Sequence, residues 1–221
     1  MACTLLTNSG SWGGKLSIHQ REGSMNHRFQ CQCAKVVGEV ADKRSAIHAI
    51  CYCRDCQAYA HHLGQPDAVL DALAGTEVVG THARNVSFTS GTDQLACLSL
   101  SEAGLLRWYA RCCNTPLANT GRDWRMPYVG LVHLCLRTGG EQLAPAFGPV
   151  QMHLETASAK GTPPRMRWSQ LKALLGFMPR IAAARFTGSY RRTPFFTATG
   201  APVVAVRVLS AAEREKAVAA V

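Results

Sequence analysis

Seven of the ten cysteines in this chain fall into three tight groups: Cys31 with Cys33, Cys51 with Cys53 and Cys56, and Cys112 with Cys113. Sulfur at that spacing is metal-ligand chemistry. Residues two apart on an extended strand point to one side, so each Cys-x-Cys pair presents two sulfurs to one point, and Cys56 closes a Cys-x-x-Cys knuckle. Thiolate is a soft ligand and zinc asks only for a tetrahedron, so zinc is the expected ion, and seven sulfurs suggest two sites. Disulfides are the competing reading, and they need an oxidising compartment. Residues 1–24 show no basic region followed by an apolar one, as a signal peptide would, which makes the cytoplasm the default and keeps the thiols reduced. Neighbouring cysteines also bridge each other only with strain. Cys3, Cys97 and Cys135 stand alone, and the last two lie in apolar runs that read as small buried hydrophobes.

Strands must carry these sulfurs into place. Residues 28–33 and 46–53 alternate in the manner of strands and end at the first two groups, while 76–81, 85–89, 95–100, 105–110 and 128–136 are short β-like runs set apart by Gly, Ser and Asn. Regular short strands imply an antiparallel β core. Between Cys56 and Gly75 a short helix or turn is expected, broken by Gly64 and Pro66. Beyond residue 150 the pattern changes: Trp168, Leu171, Leu174, Leu175 and Met178 recur at helix spacing and predict a stripe facing the core, followed by a strand at 203–208. A last helix is capped by Ser210 with Glu213 at its third position. The chain thus divides into a loose leader at 1–24, which is also the place for an over-extended start before Met25, a zinc domain at 25–150, and a basic, α-rich extension at 151–221.

With 221 residues, 47% of them hydrophobic, the chain can fill one ordinary core, and no apolar stretch reaches the ~18 residues of a membrane span. Residues 25–150 are nearly balanced, with 11 Lys and Arg against 10 Asp and Glu, whereas 151–221 carry 11 against 3. Arg191 and Arg192 beside Phe195 and Phe196 therefore allow nucleic acid or another polyanion as a partner, although no known nucleic-acid motif accompanies them.

Cys31-Gln-Cys33, then Cys51-Tyr-Cys53-Arg-Asp-Cys56, then Leu106-Arg-Trp-Tyr-Ala-Arg-Cys-Cys-Asn-Thr-Pro-Leu117 resembles the glutathione-dependent formaldehyde-activating (GFA) or CENP-V family over roughly residues 28–136. The resemblance implies an Mss4-like fold, β-sheets pinned by zinc, with a structural four-cysteine site and an open three-cysteine site. Carried over by position, Cys31, Cys33 and Cys113 match the structural site, and Cys51, Cys53 and Cys56 the open one. The family's usual Cys-x-x-Cys-Gly is altered here: Ala110 stands at its first cysteine and Asn114 at its glycine. Cys112 replaces the missing ligand only if the chain turns there, a turn that Pro116 would supply, since adjacent residues on a strand point to opposite faces.

The implied activity is carbon–sulfur lyase chemistry on a thiol–aldehyde adduct of the S-hydroxymethylglutathione type, with a small thiol such as glutathione as partner. An open zinc would lower the pKa of an incoming thiol or polarise an aldehyde oxygen. Asp55 and His61, or His62 beside it, are candidates for moving the proton. Each has a plainer reading, Asp55 as a cap of the knuckle and the histidines as solvated turn residues. Arg54 and Arg111 are the candidate cations for glutathione carboxylates, with Arg107, Arg122 and Arg125 nearby reading mostly as surface charges. Trp108, Tyr109 and Trp124 read as packing. Two further functions fit the same features: a zinc-stabilised binding module without catalysis, and a thiol-based redox or metal-handling protein.

Overall fold

Apolar and β-branched runs punctuated by turn residues give a fold that is mainly β, in two sheets with helices laid on them. The computed structural model describes residues 26–137, 142–165 and 168–221. The expected leader at 1–24, Met25 and Cys3 lie outside the described residues. The strands are β1 (His27–Gln30), β2 (Val37–Val40), β3 (Ile47–Cys51), β4 (Thr76–His82), β5 (Val86–Ser90), β6 (Leu95–Ser99), β7 (Leu106–Ala110), β8 (Thr115–Thr120), β9 (Tyr128–Val132), β10 (Met152–Leu154) and β11 (Val206–Val208). The helices are α1 (Arg54–His62), α2 (Pro66–Val69), α3 (His133–Leu136), α4 (Ala144–Phe147), α5 (Trp168–Phe186) and α6 (Ala211–Ala219). None of the described helices is long and apolar enough to cross a membrane.

One sheet has the order β1-β2-β5 and the other β10-β3-β4-β9-β8-β7-β6-β11. Inner neighbours pair antiparallel, but the two edge strands, β10 on β3 and β11 on β6, pair parallel. Both edges are supplied from beyond residue 150, so the basic C-terminal part closes the sheet at each end. Strand alternation then assigns faces. Register sets Leu98, Arg107, Asn119, Gly130, Gly80 and Ile47 in one row across β6, β7, β8, β9, β4 and β3. On this face α1 packs through Ala58, Tyr59 and Leu63 against Leu98 and Leu100, while α5 packs through Phe177 and Ile181 against Ile47, Ala49 and Val78. The opposite face, with Val79, Trp108, Ala118 and Leu131, forms the main core with Phe29, Val40 and Val86 of the small sheet and with Phe195 and Phe196.

Three expectations change here. The expected stripe on α5 faces the core only in part: Leu174 packs with Phe177 and Ile181 against β3 and β4, but Leu175 is 63% exposed and Met178 49%, while Phe177, Ile181 and Ala184 are buried; the Trp168 side chain lies outside the described residues. Both sets recur at helical spacing, so periodicity alone could not choose between them. The run at 128–136 stops as a strand at Val132 and turns into α3. Phe195 and Phe196 pack on Trp108 at centroid distances of 5.1 and 6.1 Å, so neither of these two rings is open beside Arg191 and Arg192 for a polyanion to stack on.

The end of the chain is held locally. Ser210 and Glu213 form the expected capping box at the start of α6, which docks on α1 by Ala217 and Val218. Ser210→Ala is expected to cost about 1 kcal/mol, read as a lower urea midpoint at an unchanged slope.

Candidate metal centres

Each cysteine group sits where a strand gives way to a turn or helix. β1 ends at Gln30, and the chain folds back at once: the Ala34 N–H donates to the Cys31 carbonyl and the Val36 N–H to Cys31 Sγ at 3.3 Å. Alternation along a strand is therefore not what brings Cys31 and Cys33 together; the turn is. β7 and β8 are joined by a second tight turn, whose Asn114 has a left-handed backbone (φ 53°). Asparagine tolerates that conformation better than most residues. Asn114 makes the turn that the sequence led us to expect at Pro116, which lies inside β8 instead. The consequence is that Cys112 and Cys113 both reach the β1–β2 turn.

The four sulfurs of Cys31, Cys33, Cys112 and Cys113 lie within 4.8 Å of one another. The individual separations are 3.6 Å for Cys31–Cys33, 3.9 Å for Cys31–Cys112, 3.2 Å for Cys33–Cys112 and 3.8 Å for Cys112–Cys113. A tetrahedron with ~2.3 Å metal–sulfur bonds has edges of about 3.8 Å, so this cluster fits a divalent ion. Desolvation would raise the Cys113 thiol, but hydrogen bonds from the Thr115 hydroxyl and the backbone of Cys33 bring it down to about 6. Thr115 also accepts the Gln32 N–H, and Gln65 just past α1 donates to Gln32 and to the Cys113 carbonyl. The cluster ties both turns to the far end of α1.

The second cluster stands at the near end. Cys51 closes β3, and Cys53 is the N-cap of α1, its sulfur accepting the Cys56 N–H at 3.4 Å. Capping is thus done by Cys53, not Asp55. The sulfurs of Cys51, Cys53 and Cys56 again lie within 4.8 Å of one another, with Cys51–Cys56 at 3.8 Å. Hydrogen bonds from Cys51 and Cys53, helped by the charge of Arg107, hold Cys56 well below the ordinary thiol range despite its burial. The Cys53 thiol is pushed up to about 11, where burial and Cys56 outweigh its hydrogen bond with Cys51. No described cysteine is in a disulfide. Cys97 and Cys135 are buried; burial pushes the first up to about 12 and raises the second further.

The other candidates separate. Asp55, half-buried in the first turn of α1, makes no side-chain hydrogen bond with the described residues. His61 is in the last turn, about 7 Å further along the axis than Cys56, so the helix carries it away from the trio. Burial, then the Arg207 charge, hold its neighbour His62 below the usual imidazole range. Arg54 is exposed at the first position of α1 and shares with Gln57, Ser158 and Lys160 an open cleft of about 350 Å³. Arg111 is exposed beside the four-cysteine cluster and donates to the Asp93 carbonyl, so it does not serve the trio.

Two residues gain importance that their sequence context did not give them. Arg107 is only 1% exposed, and its Nη1 lies 3.6 Å from Cys56 Sγ and 3.2 Å from Asn119 Oδ1. Tyr128 lies across the paired Gly80 and Gly130, where a Cβ on either glycine would come within 2.9 Å of it. Burial, then the Cys51 and Cys56 charges, push its phenol up to about 12, so it keeps its proton at neutral pH.

A family model described as a family of unknown function (DUF6151) matches residues 24–207. No curated protein gives a match. Among solved structures, a structural-genomics crystal structure of a Rhodobacter sphaeroides protein is similar at 16% identity and a TM-score of 0.37, over 57% of this chain and 98% of that one.

Proposed function

The chain belongs to the DUF6151 family, for which no function is established, and we propose that it is a zinc protein with a closed four-thiolate site, an open three-thiolate site and carbon–sulfur lyase activity on a thiol–aldehyde adduct. The observation that carries this reading is the second cluster: three converging thiols, Cys51, Cys53 and Cys56, at the N-terminus of α1. A four-thiolate zinc holds structure, whereas three protein ligands leave a position for exchange. The cysteine order and spacing, and two sheets joined around the first cluster, support kinship with the GFA or CENP-V family and an Mss4-like architecture.

Bound at the trio, zinc would lower the pKa of an incoming thiol and polarise an aldehyde oxygen. The chain's own residues would do the rest. Cys51, Cys53 and Cys56 hold the ion, and Arg54 with Lys160 line a cleft suited to the carboxylates of a glutathione-like thiol. Tyr128 supplies a hydroxyl that stays protonated at neutral pH.

The test is proton NMR of S-hydroxymethylglutathione formation from glutathione and formaldehyde. Cys53→Ser is expected to release one of two zinc ions and to lower turnover at least ~100-fold. A variant that forms the adduct as fast as the parent after losing that ion would refute the lyase reading.

A further inference from the structure

We infer that Arg107 is the fixed counter-charge of the three-cysteine site, a positioning residue that sets how tightly the trio holds a divalent ion and how much negative charge a fourth ligand can bring. This rests on reading the trio as a metal site. A divalent ion with three thiolates carries a net charge of −1, and a thiolate as fourth ligand makes it −2. Net charge in a protein interior is costly unless it is paired. The Arg107 guanidinium, which does not lose its proton, balances the first case and halves the second.

Among the described residues no carboxylate pairs with Arg107. It forms none of the ion pairs found among the described residues, which join Glu77 to His48 and Arg137, Asp123 to Arg185, and Glu213 to Arg207. Its contacts are the neutral Asn119 side chain, the Tyr59 ring at 5.1 Å from the guanidinium carbon, and Cys56. A fully buried arginine without a carboxylate needs a negative partner, and Cys56 is the one group it touches that can become one.

Three buried side-chain atoms among the described residues lack a hydrogen-bond partner: Arg107 Nε, Arg107 Nη2 and Thr76 Oγ1. All three flank the trio, since Thr76 stands opposite Cys51 in the β3–β4 register. Among the described residues no buried arginine bonds to the four-cysteine cluster, which does not need one. Cys33 is exposed there and Cys112 and Cys113 are half-buried, so solvent carries much of that charge. The closed site faces water, while the open site is built over a buried cation.

The experiment uses the full chain loaded with cobalt(II), titrated against a competing chelator, with 2-mercaptoethanol added afterwards as a fourth ligand seen in the sulfur-to-cobalt absorption. Arg107→Met keeps the packing and removes the charge. It is expected to leave the four-cysteine ion in place, to weaken the trio's ion about 10- to 100-fold, and to weaken 2-mercaptoethanol binding at least about tenfold. Arg107→Lys returns the charge on a shorter, unforked side chain and is expected to recover part of both losses. If Arg107 only packs, Met and Lys would lower the melting temperature without moving either affinity, and that result overturns the inference. Should Arg107→Met fail to fold, the neutral Arg107→Gln decides: a trio affinity equal to the parent's also overturns it. A parent chain that binds one ion, at the four-cysteine cluster alone, would remove the metal reading and this inference together. Two ions in the parent and unchanged affinity in Arg107→Met would remove only the inference.

Discussion

Cys31→Ser is expected to lower the melting temperature by about 10 °C or more, and to shrink the further loss that a strong chelator causes in the parent. Cys31 is wholly buried, its sulfur accepts the Val36 N–H, and it lies 3.6 Å from Cys33 and 3.9 Å from Cys112. It therefore joins the β1–β2 turn of the small sheet to the β7–β8 turn of the large one. Structural zinc sites in small domains contribute on the order of 10–16 kcal/mol of apparent folding free energy. Losing one of four thiolates forfeits several of those, at roughly 2–4 °C per kcal/mol for a chain of this length. Calorimetry with and without chelator reads the effect directly. A variant that melts with the parent would mean that the four sulfurs hold nothing the fold depends on.

Trp108→Ala is expected to cost about 3–5 kcal/mol while leaving the metal content unchanged. Trp108 is fully buried on the face opposite Arg107, its indole N–H donates to Thr120 Oγ1 at 2.9 Å, and its ring meets Phe195 and Phe196. Truncation opens a cavity and strands the Thr120 hydroxyl. Because the phenylalanines come from beyond residue 190, the loss also measures how far the C-terminal part stabilises the core. Urea unfolding followed by fluorescence of the remaining tryptophans gives the number, and a cost under ~1 kcal/mol would mean that this contact is peripheral to stability.

What could be read from the sequence followed from how local the signal was. The cysteine groups depend on spacing over two to six residues, and the capping box at Ser210 is equally local, so both were legible. β3 to β7 were also found within a residue or two, whereas the expected runs at 28–33 and 128–136 stop as strands at Gln30 and Val132, and the one at 203–208 starts only at Val206. β8, with sequence TPLANT, was missed because all six residues are buried, leaving no alternation to see, and because its proline suggested a turn. β2 and β10 are four and three residues long, too short for a pattern. On α5, two apolar stripes share the helical period, and only packing against Ile47, Ala49 and Val78 selects Phe177 and Ile181. Arg107 is the largest misreading: within the run LLRWYA it reads, with its neighbours, mostly as a surface charge, and only the register places it beneath α1.

The two clusters differ in what surrounds them, and that difference carries the functional account. One has four sulfurs, from the buried Cys31 to the exposed Cys33, and braces two turns. The other has three sulfurs and a buried guanidinium, and Arg54, which lies between Cys53 and Cys56 in sequence, lines a cleft with Lys160. The most direct measurement is the metal-to-protein ratio of the full chain during staged chelation. Two divalent ions per chain are expected, one leaving under mild chelator from Cys51, Cys53 and Cys56, the other held by Cys31, Cys33, Cys112 and Cys113 until the chain unfolds. A chain with one ion or none, or with two that leave together, would contradict this expectation.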